Sequence, residues 1–204
     1  QAKAIAAIQK ANPKRQIISI PPEMAFGTGD HATTSTCLRM LVDIGRERKG
    51  TDWTVADLGA GTGVLAIAAK HLGAGETFAC DFDPFAVSVA QRNAERAGVA
   101  KAVNLRGGDA LQRLPPTDRP GVLLLNPPYG ERIAAAGVAG QNANERAQSR
   151  QGGRESAQMS DGGDGSEFFQ QLAAHWKSHY AGWNAWLLTP DMGLPGKMRF
   201  KESR

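Results

Sequence analysis

Cysteine is scarce in this chain: only Cys37 and Cys80 occur in 204 residues. They stand far apart and lack the close spacing of metal-binding pairs, so they read as two reduced thiols of a cytoplasmic protein, and no metal is expected. Long apolar runs are missing as well. Nothing approaches the roughly 18 consecutive apolar residues of a membrane-spanning helix, so no membrane partner is expected. The first ten residues do not have the charged-then-apolar layout of a secretion leader, and the chain opens on Gln1 rather than Met, which reads as an internal start. Strong charge of one sign is absent too. A formal net charge of +4 is compatible with nucleic acid without demanding it.

What is present is the composition of an ordinary globular domain, 41% apolar and 22% charged, long enough for a single core. Residues 1–22 read as a lead-in, with a helix over 2–11 stopped near Pro13 and a strand over 16–20 stopped by Pro21 and Pro22. Residues 23–204 read as the main domain. A Gly- and Thr-rich loop at 26–34 leads into a helix carrying Cys37, Leu38, Leu41 and Ile44 on its apolar face, with Thr33 or Thr34 as the expected cap.

Strands and helices then alternate. Strands are expected at 53–58, 77–81, 102–105, 122–125 and 183–188, and helices at 64–71, 84–97 and 167–180. Pro84 starts the second of these helices and Gly98 follows its end. Alternation of this kind predicts an α/β fold with a parallel sheet and right-handed crossovers. Residues 135–166 hold almost no large apolar side chain, so burial cannot offset their ordering entropy and a disordered loop is expected there. Another extended piece is expected from 198 to 201.

The densest signal is Val55-Ala56-Asp57-Leu58-Gly59-Ala60-Gly61-Thr62-Gly63, a strand running into a glycine turn and then a helix. Glycine belongs there because a Cβ would keep the backbone away from a ligand. The dinucleotide-binding pattern G-x-G-x-x-G/A accepts Gly59 and Gly61 but puts the branched Val64 at its third position. The spacing D-x-G-x-G-x-G instead resembles motif I of class I S-adenosylmethionine (SAM) methyltransferases. That resemblance implies SAM as cofactor and a Rossmann-like sheet flanked by helices. It implies cofactor contacts from Asp57, Gly59, Gly61 and Gly63, from Asp81 to the ribose hydroxyls, and from Asp109 to the adenine amino group. Asp57, Asp81 and Asp109 all fall at carboxyl ends of predicted strands, where open α/β sheets bind ligands. Asp83 reads as the cap of the helix begun by Pro84.

After the fourth predicted strand comes Asn126-Pro127-Pro128-Tyr129. It resembles motif IV of the amino-methyltransferases, which act on exocyclic amines of bases and on a glutamine amide of release factors. The Asn126 side-chain oxygen and the Pro127 carbonyl are suited to accept the two N–H groups of an amine. Pro127 and Pro128 stiffen the loop so that these acceptors are preorganised, and Tyr129 can stack on a base. Asn126 is therefore counted with both the catalytic and the cofactor-binding residues.

The resemblance then divides. Phe26-Gly27-Thr28-Gly29-Asp30-His31-Ala32-Thr33-Thr34, with the region to about residue 98, is similar to PrmA-type methyltransferases of a large-subunit ribosomal protein. In those enzymes this loop folds over SAM, which implies contacts from Phe26, Thr28 and His31. From about 123 to 204, Asn126 to Arg132, Phe168-Phe169 and Gly182-Trp183-Asn184-Ala185-Trp186 resemble THUMP-linked rRNA guanine methyltransferases, in which Glu131 and Arg132 hold the loop. Methylation of a guanine 2-amino group of large-subunit ribosomal RNA is the leading expectation, because motif IV sits at the chemistry. Methylation of amino groups of a large-subunit ribosomal protein is the first alternative, and a non-catalytic SAM-binding fragment the second. Sheets of this class close with an antiparallel pair beside strand five. Because the chain stops near that point, a truncated sheet with an exposed, aggregation-prone edge is expected.

Overall fold

The computed structural model describes residues 2–21, 31–127, 166–189 and 191–201. Helix α1 (Ala2–Ala11) and helix α2 (Ala32–Glu47) precede the sheet. Then come β1 (Thr54–Leu58), α3 (Val64–His71), β2 (Glu76–Asp81), α4 (Pro84–Arg96), β3 (Val103–Gly107), β4 (Val122–Leu125), α5 (Ser166–His179), β5 (Asn184–Leu187) and the short α6 (Leu194–Lys197). The strands form one sheet in the order β3-β2-β1-β4-β5, and every adjacent pair is parallel. The order reverses direction beside β1. That is the switch point at which doubly wound sheets open a ligand crevice at their carboxyl edge.

Side-chain alternation divides the core between the two faces of the sheet. Val55, Val122 and Leu124 face one way and pack with Cys37, Leu41 and Ile44 of α2 and Leu65, Ala68 and Ala69 of α3. Ala56, Leu58, Leu123 and Leu125 face the other way and meet Phe169, Leu172, Ala173 and Trp176 of α5. Strand β4, Val-Leu-Leu-Leu, is buried at all four positions because both of its faces are covered.

Helix α4 begins at Asp83, whose carboxylate accepts a hydrogen bond from the Phe85 backbone N–H, with Pro84 in the first turn. Its buried residues Ala86, Val89, Ala90, Asn93 and Ala94 form a stripe at helical spacing.

Three local expectations are corrected. Residues 16–20 form no ladder; Ile18 and Ile20 reach partial burial against the α2–α3 side of the core without a paired strand. The cap of α2 is neither Thr33 nor Thr34 but His31, whose Nδ1 accepts from the Thr33 backbone N–H at 3.3 Å. Thr34 is instead buried, 1% exposed. The piece expected to be extended at 198–201 begins as the turn that ends α6, with Arg199 at φ 54°. That turn is tied to α5, because the Lys177 ammonium donates to the Met198 carbonyl at 2.8 Å.

Among the described residues β5 pairs only with β4, and Asn184, Ala185 and Trp186 are exposed, unlike the four buried positions of β4. The loop expected over 135–166 lies outside the described residues except for Ser166, which starts α5.

Candidate active site

The glycine turn after β1 carries left-handed backbone at Gly59 (φ 73°), Gly61 (φ 54°) and Gly63 (φ 75°). L-residues rarely adopt this conformation. At Gly63 sterics add a second requirement, since a Cβ would sit 2.9 Å from the Ala90 Cβ on α4. The turn is anchored to β2: the Gly59 and Ala60 N–H groups both donate to the Cys80 carbonyl at 2.9 Å.

Asp81, at the end of β2, accepts from the Gly61 N–H through Oδ2 at 2.8 Å and from the Asp83 N–H through Oδ1 at 2.9 Å. Each carboxylate oxygen can accept more than one hydrogen bond, so Asp81 can shape the turn and still receive hydroxyls at the crevice. Asp109, two residues past β3, accepts from the Leu111 N–H through Oδ1 at 2.9 Å. This turn holds the carboxylate near the carboxyl edge of the sheet. Thus the structure brings the glycine turn, Asp57, Asp81 and Asp109 to one edge, as the motif spacing predicts.

Asp57 is the most perturbed of these groups. It is 1% exposed, and Oδ2 accepts from the Ala66 N–H at 3.2 Å in the first turn of α3. Its other oxygen is buried with no hydrogen-bond partner among the described residues. Burial raises its pKa from 3.8 to about 7; the Ala66 N–H opposes the shift and the neighbouring Asp81 charge adds to it. Burial, with Asp57 nearby, likewise pushes the Cys37 thiol up to about 11, which makes it an unreactive core residue.

The Asp57 shift has a thermodynamic sign. The folded-state pKa lies above the unfolded value, so the folded chain keeps a proton that the unfolded chain has lost. Its stabilising effect is complete below about pH 4, falls as pH rises towards 7 and levels off above that. Asp57→Asn removes this dependence. The variant's stability relative to the wild type is therefore expected to grow by up to roughly 3 kcal/mol from pH 5 to pH 8, at one unit per about 1.36 kcal/mol. Parallel melting curves across that range would refute the buried proton.

At the end of β4, Asn126 is half-buried and Pro127 buried. The Asn126 Nδ2 lies 3.5 Å from the Thr33 Oγ1, a long hydrogen bond, and Thr33 Oγ1 lies 2.7 Å from His31 Nδ1. Donation from Nδ2 to Thr33 leaves the carboxamide oxygen as the remaining acceptor. That Asn126 Oδ1 is buried and has no hydrogen-bond partner among the described residues. The start of α2 thus meets the end of β4 through His31, Thr33 and Asn126. Sequence reading missed Thr33 here, placing it only as a helix cap. It also missed Asn93, whose signal was a polar residue inside the apolar stripe of α4. Phe26, Thr28, Pro128, Tyr129, Glu131 and Arg132 lie outside the described residues.

A cavity of about 440 Å³ opens on the α5-side face of β1–β2–β3; Phe78, Asn104, Arg106, Arg113 and Tyr180 line it, and it reaches Asp57 and Leu58 at the end of β1. It contains none of the glycines of the turn, so the catalytic reading rests on the crevice instead.

The residues at the crevice fit a SAM molecule. The turn offers bare glycine backbone, Asp81 retains acceptor capacity for hydroxyls, and Asp57 carries a buried oxygen, unpartnered among the described residues, that a cation would satisfy.

Comparison with known proteins agrees with this architecture. The ribosomal protein L11 methyltransferase of Pelotomaculum thermopropionicum is 49% identical over 98 residues, covering 48% of this chain and 30% of the relative. The chain thus spans about a third of the length of the curated relatives it matches. Among solved structures, one determined as a complex with SAH superposes with a TM-score of 0.55 at 16% identity, over 82% of this chain and 48% of the other. A predicted N6-adenine-specific DNA methylase from Listeria monocytogenes gives the same TM-score and identity over 89% of this chain and 50% of its own. At such identity these two superpositions speak for the fold alone. The profile describing the ribosomal protein L11 methyltransferase (PrmA) family matches residues 4–120, which is more than half of the chain, and the chain belongs to that family.

Proposed function

We propose that the chain is a SAM-dependent N-methyltransferase whose acceptor is an amino group of a large-subunit ribosomal protein. The observation that carries the chemistry is the buried Oδ1 of Asn126, without a partner among the described residues, at the end of β4 beside the strand that leads into the glycine turn. The family match and the names of its relatives support the protein acceptor.

In this reading the glycine turn receives the methionine part of the cofactor by backbone approach. Asp81 would accept the ribose hydroxyls and Asp109 the adenine amino group, and Asp57 would supply negative charge once a bound cation displaces its proton. SAM brings an electrophilic methyl group on a sulfonium centre. Asn126 Oδ1 accepts one N–H of a neutral acceptor amine and the Pro127 carbonyl accepts another. These two contacts aim the nitrogen lone pair and limit its rotation. Holding two reactants in line contributes roughly 7–11 kcal/mol to such reactions, so few acid–base groups are needed.

A second reading, methylation of a guanine 2-amino group of large-subunit rRNA, is favoured by one feature. The Asn126-Pro127-Pro128-Tyr129 motif lies beyond the matched residues 4–120, and an alkyl amine has no use for the aromatic platform that Tyr129 supplies.

The deciding experiment incubates the chain with methyl-labelled SAM and an unmodified large ribosomal subunit, then separates RNA from protein. Label on protein amino groups is the expected result. Label at guanine would transfer the conclusion to the second reading, and Tyr129→Ala should then lower RNA methylation. SAM binding without label in either fraction would reduce the chain to a non-catalytic SAM-binding module.

A further inference from the structure

The apolar stripe of α4 is interrupted by one polar residue. Ala86, Val89, Ala90 and Ala94 are small or aliphatic, but Asn93 is equally buried, at 1% exposure. A buried carboxamide is costly unless its groups are paired. Here both ends are used. Nδ2 donates to the carbonyl of Thr62 at 3.0 Å, across 31 residues of sequence, and Oδ1 accepts from Arg96 Nη1 at 3.0 Å. The Arg96 contact sets which way the amide faces, so the N–H donor points at the glycine turn.

Thr62 is fully buried and lies between Gly61 and Gly63. One turn earlier on α4, Ala90 packs against the position where Gly63 would carry a Cβ. Two consecutive turns of α4 therefore grip the centre and the end of the glycine turn from behind. Asp81 holds the same turn through the Gly61 N–H. Because α4 starts three residues after Asp81, the carboxylate and the helix that brace the turn belong to one continuous segment.

We infer that Asn93 is a positioning residue for the cofactor: it acts through the Thr62 carbonyl to hold the glycine turn in its receiving shape. This inference rests on the SAM reading above. Asn93 itself, being buried, does not touch the ligand. An apolar residue of similar size would fill the space equally well. The hydrogen bond to a left-handed turn is what packing alone cannot replace.

The test compares the full 204-residue chain with Asn93→Leu and Asn93→Ala. Leucine keeps the branched outline of asparagine, with somewhat more bulk, and removes the donor, so it tests the hydrogen bond with the space filled, while alanine removes both. Two measurements are made on each. Hydrogen exchange of the turn amides in the ligand-free chain reads the ordering of the turn without any cofactor. Isothermal calorimetry with SAM reads its consequence. For Asn93→Leu the expected result is faster exchange at Gly61 and Gly63 and roughly tenfold weaker SAM binding, the scale of one lost buried hydrogen bond. Both variants are expected to melt below the wild type, so the decision rests on exchange at the turn and on SAM affinity, not on the melting temperature.

In turnover, KM for SAM rises while kcat at saturating SAM is kept, a split that a merely structural role would not produce. Unchanged exchange in Asn93→Leu overturns the inference. Faster exchange with unchanged SAM affinity also overturns it, because the turn would then be held for stability and not for the cofactor. A wild-type chain that fails to bind SAM overturns the proposed function, and with it the cofactor half of the inference, while the exchange data still decide whether Asn93 orders the turn.

Discussion

Asn126→Ala is expected to lower methyl transfer by roughly 10²- to 10³-fold in kcat, the scale seen when one preorganised hydrogen-bonding group is removed from a reacting centre. SAM affinity, measured by calorimetry on the same protein, should change by less than about threefold. The separation of the two effects follows from geometry. The glycine turn, Asp81 and Asp109 hang from β1, β2 and β3, whereas Asn126 follows β4 on the other side of β1. Its Oδ1 has no partner among the described residues, so truncation strips the site of an acceptor without breaking an internal bond to that oxygen.

Thr33→Val should give a smaller loss in kcat. Thr33 only steadies the Asn126 amide, through a long contact of 3.5 Å, and a rotated amide would present its N–H groups to the amine instead of its oxygen. If Asn126→Ala kept wild-type turnover at saturating acceptor, amine recognition by that carboxamide would be excluded.

The second large effect is expected at Gly63. Alanine there must accept φ 75°, which costs an L-residue about 1–2 kcal/mol, and its Cβ would lie 2.9 Å from that of Ala90. Relieving such overpacking costs typically about 1–3 kcal/mol more. For a chain of this length each kcal/mol lowers the melting temperature by roughly 2–4 °C, so a fall of about 5–15 °C is expected. Scanning calorimetry or circular dichroism reads it directly.

A companion substitution divides the two causes. Gly63→Ala combined with Ala90→Gly removes the collision but not the backbone strain, so it should recover part of the loss, less whatever glycine costs in the middle of α4. No recovery would mean that the backbone conformation alone makes Gly63 necessary. A Gly63→Ala chain that melted with the wild type would contradict the close approach of α4 to the turn.

Much of the frame was legible because it rests on local rules. Asp83 and Pro84 marked the start of α4, the Val-Leu-Leu-Leu run marked a strand buried on both faces, and the spacing from Asp57 to Gly63 marked a strand, a turn and a helix. Each of these signals is held by a handful of neighbouring residues. The misreadings arose where local chemistry offered several equal choices. Thr33 and Thr34 are good caps, yet His31 caps α2, because burial claims Thr34 and the Asn126 amide engages the Thr33 hydroxyl. Residues 16–20 have the composition of a strand, but a strand needs a partner edge, and sequence does not say which edges are taken.

By itself the sequence determined the order of strands and helices, the positions that require glycine, and the types of residue at the ends of β1, β2 and β4. Periodicity, capping and backbone sterics act over a few residues and can be read in one dimension. Only the tertiary structure decided that Asn93 would hold Thr62 from 31 residues away, that Asp57 would keep its proton near neutrality, and that Thr33 would stand beside Asn126 across 93 residues. Those outcomes depend on how deeply each group is taken from water and on which distant group closes its hydrogen bond. Neither is settled until the sheet and its helices have packed.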